Sequence, residues 1–498
     1  MSNLYVACEL GAEKGRIMLG ALQRDGLMVS EAGNVQDLTI GQDEASQWDV
    51  SGIYQQVLGA ARGIAAQEEP VRGISFHTSV SDCLLFEGNG SLVAPATRTV
   101  EAAATAQLEK VLSKIPLEQF FEETGIQPTA QSMLCQLAAE SSRRLRRSAH
   151  ALSLADAFNF LLSGVPRAEV SQASQTHLYN PLTKTWSERF LKVAGLPPKL
   201  LAPVVQAGTK LGDVRADISR EAGLEDARVI ATCSHQTAAA LAALTIADGG
   251  DWAYLCPDDW TLLGTKLEGP FINDISREMK YSNLMGYGES VGFHKRWVGL
   301  WLVEECQRAW MQQDRALDSE VLMHLATSAT PFEALIDPAD PRFLSAGDMP
   351  QEIQAFCRET GQDAPRKPGP ILRCVLESLA LQYRKGLLEL GYITGRNLSR
   401  LYVLGGKSNL LFNHFLANAL QIPVVIVPSE TASVGNVVLQ ALALGHIPSL
   451  EQARELVRRC LKTQTINPHA AAWTEAYDRF LSLGPSAEEP QDGDGSSL

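Results

Sequence analysis

The chain contains two similar strand-turn-strand segments that lie about 250 residues apart. In the first, the apolar runs Leu4–Glu9 and Arg16–Leu22 flank a glycine-bounded turn at residues 11–15. In the second, Ala253–Cys256 and Trp260–Leu267 flank a shorter turn. The two segments, "LYVACELGAEKGRIMLGAL" and "WAYLCPDDWTLLGTKLEG", therefore indicate a chain with two halves that share one repeated plan.

The length of the chain supports this division. With 498 residues, 45% of them hydrophobic and 20% charged, the chain exceeds what one hydrophobic core normally contains. We predict an N-terminal domain over residues 1–245, a C-terminal domain over 246–447 and further helices over 448–483. The last segment, 484–498, is polar, acidic and glycine-rich, which predicts a disordered tail.

Charge and patterning exclude several classes of function. The net charge of -14 and the pI near 5.2 argue against general binding to nucleic acid or to anionic membranes, because both require a basic surface. No run of about 18 apolar residues occurs, and the N-terminus lacks the basic and apolar regions of a signal peptide, so we expect a cytoplasmic protein. The nine cysteines form no CxxC pair and suggest neither zinc nor disulfides. A small-molecule ligand is favoured, and the sequence leaves open a homo-oligomer or a regulatory protein partner.

Apolar periodicity predicts alternating helices and strands, which is typical of layered α/β proteins. A strand over 400–404 leads into Gly405 and Gly406 and then a helix, the usual arrangement of a phosphate or nucleotide loop. The other predicted helices span 53–66, 101–112, 133–147, 238–246, 298–310, 370–390, 409–420 and 432–444, and the other predicted strands span 83–86 and 424–427.

Several motifs, in this order, resemble the rhamnulokinase branch of the FGGY sugar kinases. They are "SHQTAAALAAL", "AYLCPDDWTLLG", "GLWLVEECQRAW" and "LGGKSNLLFNHFLANALQIPVV", and the similarity extends over nearly the whole chain except the acidic tail. The resemblance implies a two-domain actin/hexokinase-like (ribonuclease H-like) α/β fold with an interdomain cleft. It also implies a sugar side in the N-terminal domain, a nucleotide side in the C-terminal domain, and ATP with Mg²⁺ as the phosphate donor to a ketose such as L-rhamnulose.

The resemblance places the catalytic general base at Gln236, where the family carries aspartate. A carboxamide cannot accept the proton of a sugar hydroxyl, and general-base catalysis typically contributes about 10²–10⁴ in rate. The sugar-contacting segment Trp-Gly-Val-Asp of the family falls on residues 78–81, where an aromatic ring and a carboxylate are lost. The substrate contacts implied by the resemblance are Ser79, His235, Thr237 and Arg296.

The phosphate-binding segments depart from the family as well. In the first hairpin, the family's Asp-Leu-Gly-Ala-Ser-Ser-Gly-Arg becomes "ELGAEKGR", so Glu9 stands at a metal-binding position. In the second hairpin, Pro257 removes an N–H donor, and carboxylates at Asp258 and Asp259 repel a triphosphate. The nucleotide and phosphate contacts implied by the resemblance are Glu13, Lys14, Gly15, Arg16, Asp259, Glu304, Gly405 and Gly406.

These substitutions support one leading hypothesis and two alternatives. The leading hypothesis is a protein with the kinase fold that has little or no kinase turnover but retains ligand binding. The first alternative is an active ATP- and Mg²⁺-dependent rhamnulokinase whose missing base is replaced by Asp258, Asp259 or Glu304, and the second is a kinase for another polyol or sugar acid. Without the resemblance, His235 is a histidine packed at a strand-to-helix turn, and the glycines are ordinary turn residues.

Overall fold

The computed structural model describes residues 2–24, 26–41, 46–66, 69–258, 260–313, 317–405, 409–469 and 472–483. Within these ranges the strands are β1 (Asn3–Leu10), β2 (Gly15–Gln23), β3 (Gly26–Val35), β4 (Thr39–Ile40), β5 (Gln47–Trp48), β6 (Val71–Thr78), β7 (Cys83–Phe86), β8 (His150–Ser153), β9 (Ala168–Glu169), β10 (Tyr179–Asn180), β11 (Thr185–Trp186), β12 (Val204–Val205), β13 (Thr209–Asp213), β14 (Arg228–Ala231), β15 (Ala253–Cys256), β16 (Trp260–Leu267), β17 (Tyr281–Met285), β18 (Val291–Val298), β19 (Leu401–Val403), β20 (Val424–Ile426) and β21 (Gln464–Ile466).

The helices of the same ranges are α1 (Val50–Ala65), α2 (Glu101–Leu112), α3 (Leu117–Thr124), α4 (Met133–Ala139), α5 (Ser142–Arg147), α6 (Leu154–Ser163), α7 (Val170–Ala173), α8 (Glu188–Ala194), α9 (Ala216–Ala222), α10 (Gln236–Ala247), α11 (Asp274–Glu278), α12 (Trp301–Gln313), α13 (Ser319–Ser328), α14 (Met349–Glu359), α15 (Pro368–Thr394), α16 (Leu410–Leu420), α17 (Thr431–Ala443), α18 (Leu450–Cys460) and α19 (Ala472–Leu481). No helix in these ranges is both long and apolar enough to cross a bilayer.

The described residues divide into two compact units. The first unit contains the residues up to Gly250 together with Thr265–Lys295 and Val427–Thr463, and the second contains Asp251–Gly264, Arg296–Ile426 and the described residues from Gln464 onward. The sequence-based boundaries at residues 245 and 447 divide the chain contiguously, whereas the compact units are interleaved along it. The predicted domains therefore stay a prediction, and the predicted disordered tail at 484–498 lies outside the described residues.

The first unit is built on a six-stranded sheet in the order β13-β14-β6-β1-β2-β3. Strand β1 pairs antiparallel with β2, which confirms the first predicted hairpin, and it pairs parallel with β6. Alternate residues of a strand point to opposite faces. One face of β1 therefore packs into the apolar cluster with α1 and α6, where Phe76 stacks on Phe158 at 5.3 Å between ring centroids. The opposite face, which carries Tyr5 and Glu9, meets α10 and α17.

Helices α10 and α17 of the first unit cross at very short range. A Cβ atom added to Gly435 would lie 2.0 Å from the carbonyl oxygen of Ala239, a contact between two helix backbones. Where α17 faces the sheet, a Cβ at Gly20 would lie 2.4 Å from Val437 Cγ1. Glycine is required at both positions because real Cβ atoms do not approach other heavy atoms so closely.

The second unit contains the strand order β16-β15-β19-β20-β21. Strands β15 and β16 are neighbours, which confirms the second predicted hairpin. The long helix α15 also makes hydrogen bonds to β16 and β18: Tyr383 Oη lies 2.9 Å from Thr261 Oγ1, and Gln382 Nε2 donates to the carbonyl of Val298 at 3.0 Å.

Two predicted helices were wrong in their extent. The predicted helix over 133–147 is two helices, because Glu140 is extended (φ -74°, ψ 148°) and the Ser141 side chain accepts from the backbone N–H of Arg144 to start α5. The helix predicted to begin at Val298 begins at Trp301, because Val298 is the last residue of β18. In both cases a polar cap or a strand pairing overrode the local helical periodicity.

Candidate functional site

Three segments that carry predicted site residues meet at one edge of the first sheet. Strands β1 and β6 are parallel, with Leu10 opposite Thr78, so both end at the same edge. The segment before α10 joins them there, since the backbone N–H of Thr78 donates to the carbonyl of Ser234 at 2.8 Å. Thr78 Oγ1 also donates to the carbonyl of Leu10 at 2.7 Å. Ligands of open α/β sheets bind at the carboxyl ends of the strands, so this edge is the candidate site.

Glu9 is the central ionised group of this edge. Its Oε1 accepts a hydrogen bond from Gln236 Nε2 at 2.9 Å, and its Oε2 accepts from Arg16 Nη2 at 2.8 Å. The side chains of Glu9 and Arg16 are only 12% and 22% exposed, so the pair is shielded from solvent. Arg16 also donates to the carbonyl of Ser429 at 3.2 Å. Each oxygen of the Glu9 carboxylate therefore has a donor from the protein itself.

The surroundings of Glu9 keep it ionised. Burial raises the pKa of Glu9, but the nearby His77 and Arg16 side chains outweigh burial, and the pKa lies below its ordinary value of 4.5. A carboxylate whose pKa is lowered is a weak proton acceptor, because efficient general bases have pKa values near the working pH.

We expect the Glu9→Gln variant to lose about 1–3 kcal/mol of unfolding free energy at pH 7, since its hydrogen bonds involve charged groups. Because the folded-state pKa is lowered, this stability is present above the ordinary pKa of 4.5 and is lost as the pH falls through the lowered value. Urea unfolding of both proteins between pH 3 and pH 8 measures the difference. The control is Glu221→Gln, whose ion pair with Arg62 is exposed, and we expect it to change stability by less than about 0.5 kcal/mol. A difference between Glu9→Gln and the original chain that does not vary with pH would contradict this account.

A buried network of polar side chains lies next to Glu9, between β6 and α17. His77 is fully buried, and its Nδ1 lies 3.1 Å from Asn436 Nδ2, which donates. The imidazole proton is then on Nε2, which has no hydrogen-bond partner among the described residues and lies 3.7 Å from Glu9 Oε2. Gln440 Nε2 donates to Asn436 Oδ1 at 2.8 Å and to the carbonyl of Val6 at 3.0 Å. The sequence analysis did not identify this network. Its one local signal was the pair of amide side chains, Asn436 and Gln440, four residues apart in the otherwise apolar helix α17.

His235 and Thr237 frame the start of α10. His235 is the N-cap residue, and its Nδ1 accepts from the backbone N–H of Thr237 at 3.2 Å. Burial, together with the neighbouring His294, lowers the pKa of His235 to about 4, so its imidazole is neutral at pH 7 and carries its proton on Nε2. Gln236, between His235 and Thr237, donates from Nε2 to Glu9, and its own Oε1 remains as a neutral acceptor. The turn thus offers one N–H donor and one carbonyl acceptor.

Ser79 lies beside this turn, directly after β6. Its backbone N–H is 3.4 Å from the carbonyl of Leu10, and the residue is exposed. A carboxylate that sequence reasoning did not single out follows at Asp82. It is 7% exposed and accepts from Trp48 Nε1 at 2.9 Å and from Thr99 Oγ1 at 2.5 Å. Asp82 therefore holds the segment after Ser79 in place through its own structural contacts.

The turn of the first hairpin contains the predicted phosphate contacts. The N–H of Gly11 donates to the carbonyl of Lys14 at 3.0 Å, and Glu13 and Lys14 are exposed. Gly15 is buried, and a Cβ there would lie 2.8 Å from the carbonyl oxygen of Glu9. Glycine at this position therefore permits the tight return that brings Arg16 opposite Glu9.

The predicted residues of the second unit lie in three places. The Arg296 guanidinium stacks over the Trp260 ring at 5.5 Å from its centroid. Glu304 is exposed on α12, where it lines an open cavity of about 650 Å³ with Gln307, Arg308, Met311 and Gln312. Gly405 follows β19 with a φ of 87°, a conformation that favours glycine. Asp259, Gly406, Lys407 and Ser408 lie outside the described residues.

Comparison with known proteins gives two findings at the level of sequence. The N-terminal domain of the FGGY family of carbohydrate kinases matches residues 4–243, and the C-terminal domain of that family matches residues 253–444. A rhamnulokinase of Bacteroides thetaiotaomicron is 32% identical, over 96% of this chain and 99% of its own length. A rhamnulokinase of Enterococcus faecalis is 29% identical, over 96% of this chain and 97% of its own length.

Comparison with solved structures confirms the expected fold. The gluconate kinase of Lactobacillus acidophilus superposes with a TM-score of 0.77 at 13% identity, covering 97% of this chain and 98% of the other. The xylulose kinase of Rhodospirillum rubrum superposes with a TM-score of 0.77 at 16% identity and the same coverage. The predicted two-domain α/β fold of the sugar kinases is therefore correct.

Proposed function

Because the chain belongs to the FGGY family of carbohydrate kinases, we propose that this rhamnulokinase-like member binds a ketose such as L-rhamnulose but transfers phosphate from ATP very slowly or not at all. The proposed sugar contacts are those of the first sheet edge together with Arg296, and the proposed nucleotide and phosphate contacts are Glu13, Lys14, Gly15 and Arg16 of the first hairpin and Asp259, Glu304, Gly405 and Gly406. We place the protein in the cytoplasm, as its sequence predicts.

The observation that carries the proposal is the hydrogen bond from Gln236 to Glu9. A kinase of this reaction class must position ATP, neutralise its phosphates and remove a proton from the sugar hydroxyl. At the position of the base, Gln236 has no basic atom, and the carboxylate that it contacts is itself neutralised by Arg16. The missing base is therefore not replaced by Glu9.

The same turn retains the groups needed to bind a sugar. His235 Nε2–H is a donor, Gln236 Oε1 is an acceptor, and Thr237 adds a hydroxyl at the start of α10. A few fixed polar groups at a strand end suit a ligand with several hydroxyls. Loss of a base does not remove such contacts, so binding and turnover are separable in this proposal.

The residues at Glu9 do not fit a divalent cation. Mg²⁺ is held by carboxylate oxygens together with substrate phosphates and water. Here the two oxygens of Glu9 accept from Gln236 and Arg16, and a guanidinium 2.8 Å away repels a cation. In the parts of the chain that the structure describes, no group of three or more His, Cys, Asp or Glu side chains is arranged to hold a metal ion. The metal role that the resemblance assigns to Glu9 is therefore not part of the proposal.

The test is Mg²⁺-dependent ADP production from ATP with L-rhamnulose and a panel of ketoses, with the rhamnulokinase of Bacteroides thetaiotaomicron as the positive control. We expect turnover at least about 10³-fold below the control, since loss of a general base alone spans about 10²–10⁴. We expect calorimetry to show binding of L-rhamnulose or another ketose of the panel.

Two results would contradict the proposal. Sugar-dependent turnover within about 10³-fold of the control would support the active-kinase alternative and direct mutagenesis to Asp258, Asp259 and Glu304. Absence of binding by every ketose, with the protein folded by circular dichroism, would show that the first sheet edge serves another ligand.

A further inference from the structure

Two buried carboxyl groups lie directly behind the turn that carries Gln236. Asp156 of α6 is 3% exposed, and Glu169 at the end of β9 is fully buried. Neither residue has a part in the site described above, and carboxyl groups are rarely buried unless they are paired with a positive charge. Their hydrogen bonds converge on one residue, Ser234, which is two positions before Gln236.

Glu169 holds the backbone of the turn. Its Oε2 accepts from the N–H of Ser234 at 2.8 Å and from the N–H of Ser171 at 3.0 Å, and it also accepts from Ser171 Oγ. Ser171 Oγ in turn accepts from the N–H of His235 at 3.0 Å. The backbone N–H groups of both residues that precede Gln236 therefore depend on Glu169, one directly and one through Ser171.

Asp156 holds the side chain of the same residue. Its Oδ1 accepts from Ser234 Oγ at 2.8 Å, and its Oδ2 accepts from Ser153 Oγ at 2.7 Å and from the N–H of Glu169 at 3.1 Å. The carbonyl of Ser234 accepts from Thr78 at 2.8 Å. All polar atoms of Ser234 are thus engaged, so the two carboxyl groups determine where the turn lies.

The second oxygen of Glu169 indicates that the side chain is protonated. Glu169 Oε1 is buried and has no hydrogen-bond partner among the described residues. An ionised carboxylate with a bare buried oxygen is costly, and a proton on Oε1 removes the charge while Oε2 keeps its three donors. Burial raises the pKa of Glu169 to about 8, with the charge of Asp156 adding to the effect, and burial raises the pKa of Asp156 to about 6.

Besides Asp156, the titratable groups that interact with Glu169 are Cys233 and Tyr179, and both are neutral at pH 7. Burial raises the pKa of Cys233 well above its ordinary value and the pKa of Tyr179 to about 12, and Glu169 contributes to both shifts. His235 belongs to the turn itself, and burial together with the nearby His294 lowers its pKa to about 4, so it is neutral at pH 7. The charge that Glu169 meets on ionisation is therefore that of Asp156, one like charge in a buried network.

We propose that protonated Glu169 is the positioning residue of the Ser234–Gln236 turn, and that the turn loosens when this proton is lost. When both are ionised, the adjacent buried carboxylates of Asp156 and Glu169 repel each other. We expect the turn at Ser234, which both of them hold, to move in response. Since the raised pKa belongs to an acid, the stability from Glu169 is full below its ordinary pKa of 4.5 and is lost as the pH rises to about 8. The effect on sugar binding rests on the proposed function, whereas the effect on the turn does not.

The test is hydrogen exchange of the peptide that contains residues 234–236, measured from pH 6 to pH 9 and corrected for the intrinsic exchange rate. Between pH 6 and about pH 8, the raised pKa of Glu169, we expect protection to fall by up to about tenfold per pH unit, and above it we expect protection to level off. Glu169→Gln, which resembles the protonated acid, should stay within about threefold of its pH 6 protection throughout. Glu169→Ala should be poorly protected at every pH, because the Ser234 N–H loses its acceptor and Ser171 Oγ, the acceptor of the His235 N–H, loses the group that holds it.

Controls distinguish positioning from general stability. Glu377→Gln replaces a buried glutamate of the second unit whose pKa burial raises to about 7, and it should leave the profile of residues 234–236 unchanged. Protection that does not vary with pH in the original chain, or a pH-dependent loss that persists in Glu169→Gln, would overturn the proposal.

In a parallel titration, L-rhamnulose affinity should follow the same pH profile. If L-rhamnulose does not bind at any pH, that result counts against L-rhamnulose as the ligand, and the exchange profile still decides the role of Glu169.

Discussion

Replacement of Gly435 by alanine is expected to lower the unfolding free energy by about 2–3 kcal/mol, the typical cost of overpacking a closely fitted interior. The added Cβ would lie 2.0 Å from the Ala239 carbonyl oxygen, and the contacted atom belongs to the backbone of α10. No side-chain rotation relieves this contact, so the two helices must separate along their whole crossing. Helix propensity alone predicts the opposite, since alanine in a helix is favoured over glycine by about 1 kcal/mol.

Urea unfolding of Gly435→Ala and of a matched variant, Gly63→Ala, measures this cost. Gly63 is an exposed residue of α1 with no atom within 4 Å of an added Cβ, so alanine there should stabilise by about 0.5–1 kcal/mol. Equal stability of the two variants would show that α10 and α17 do not pack as closely as described.

The Gln236→Asp variant is expected to be less stable than the original chain and still inactive. Aspartate removes the hydrogen bond to Glu9 Oε1 and places a second carboxylate next to the first. Two like charges about 4 Å apart interact by roughly 4 kcal/mol at an effective dielectric of about 20, so we expect a loss of roughly 2–4 kcal/mol at pH 7 in EDTA. The paired carboxylates should also create a site for Mg²⁺ at Glu9, where the described residues of the original chain do not fit this ion, since oxygen ligands suit it.

Thermal unfolding with EDTA and with MgCl₂, combined with the ADP assay, separates these effects. The melting temperature of Gln236→Asp should rise with Mg²⁺, whereas that of the original chain should not change. Gln236→Asn is the matched control, because it shortens the side chain without adding charge, and its stability should not depend on Mg²⁺. A rise in turnover of 10² or more in Gln236→Asp would show that the missing base is the only defect, and it would contradict the inactivity expected of this variant.

The elements that the sequence predicted correctly are those with local determinants. The two hairpins follow from apolar runs bounded by glycine or proline turns, and both were confirmed. Helix α15, predicted over 370–390, spans Pro368–Thr394 because its apolar periodicity is long and uninterrupted. The break between α4 and α5 was missed because the apolar periodicity continues across it. The break depends on one residue, Ser141, which caps the start of α5.

The candidate site was predictable only in part. The resemblance identified Glu9, Arg16 and Gln236 individually, but the contact between Glu9 and Gln236 joins residues 227 positions apart and has no local signal. Asn436 contacts His77 across 359 positions of the sequence, and Glu169 contacts Ser234 across 65 positions. The roles of the predicted residues in nucleotide binding stay predictions, and Asp259 and Gly406 lie outside the described residues.

The position of α17 has a consequence for the order in which the protein is made. This helix covers one face of the first sheet, yet it is encoded after nearly all of the second unit. At about 5–20 residues per second, a ribosome needs roughly 10–35 s to extend the nascent chain from residue 250 to residue 427. Throughout that interval the sheet face that carries Tyr5, Gly20 and Gly73 lacks the cover of α17. Chaperones that bind exposed apolar surface can act during this time. The first unit therefore cannot complete its fold before most of the second unit has been synthesised.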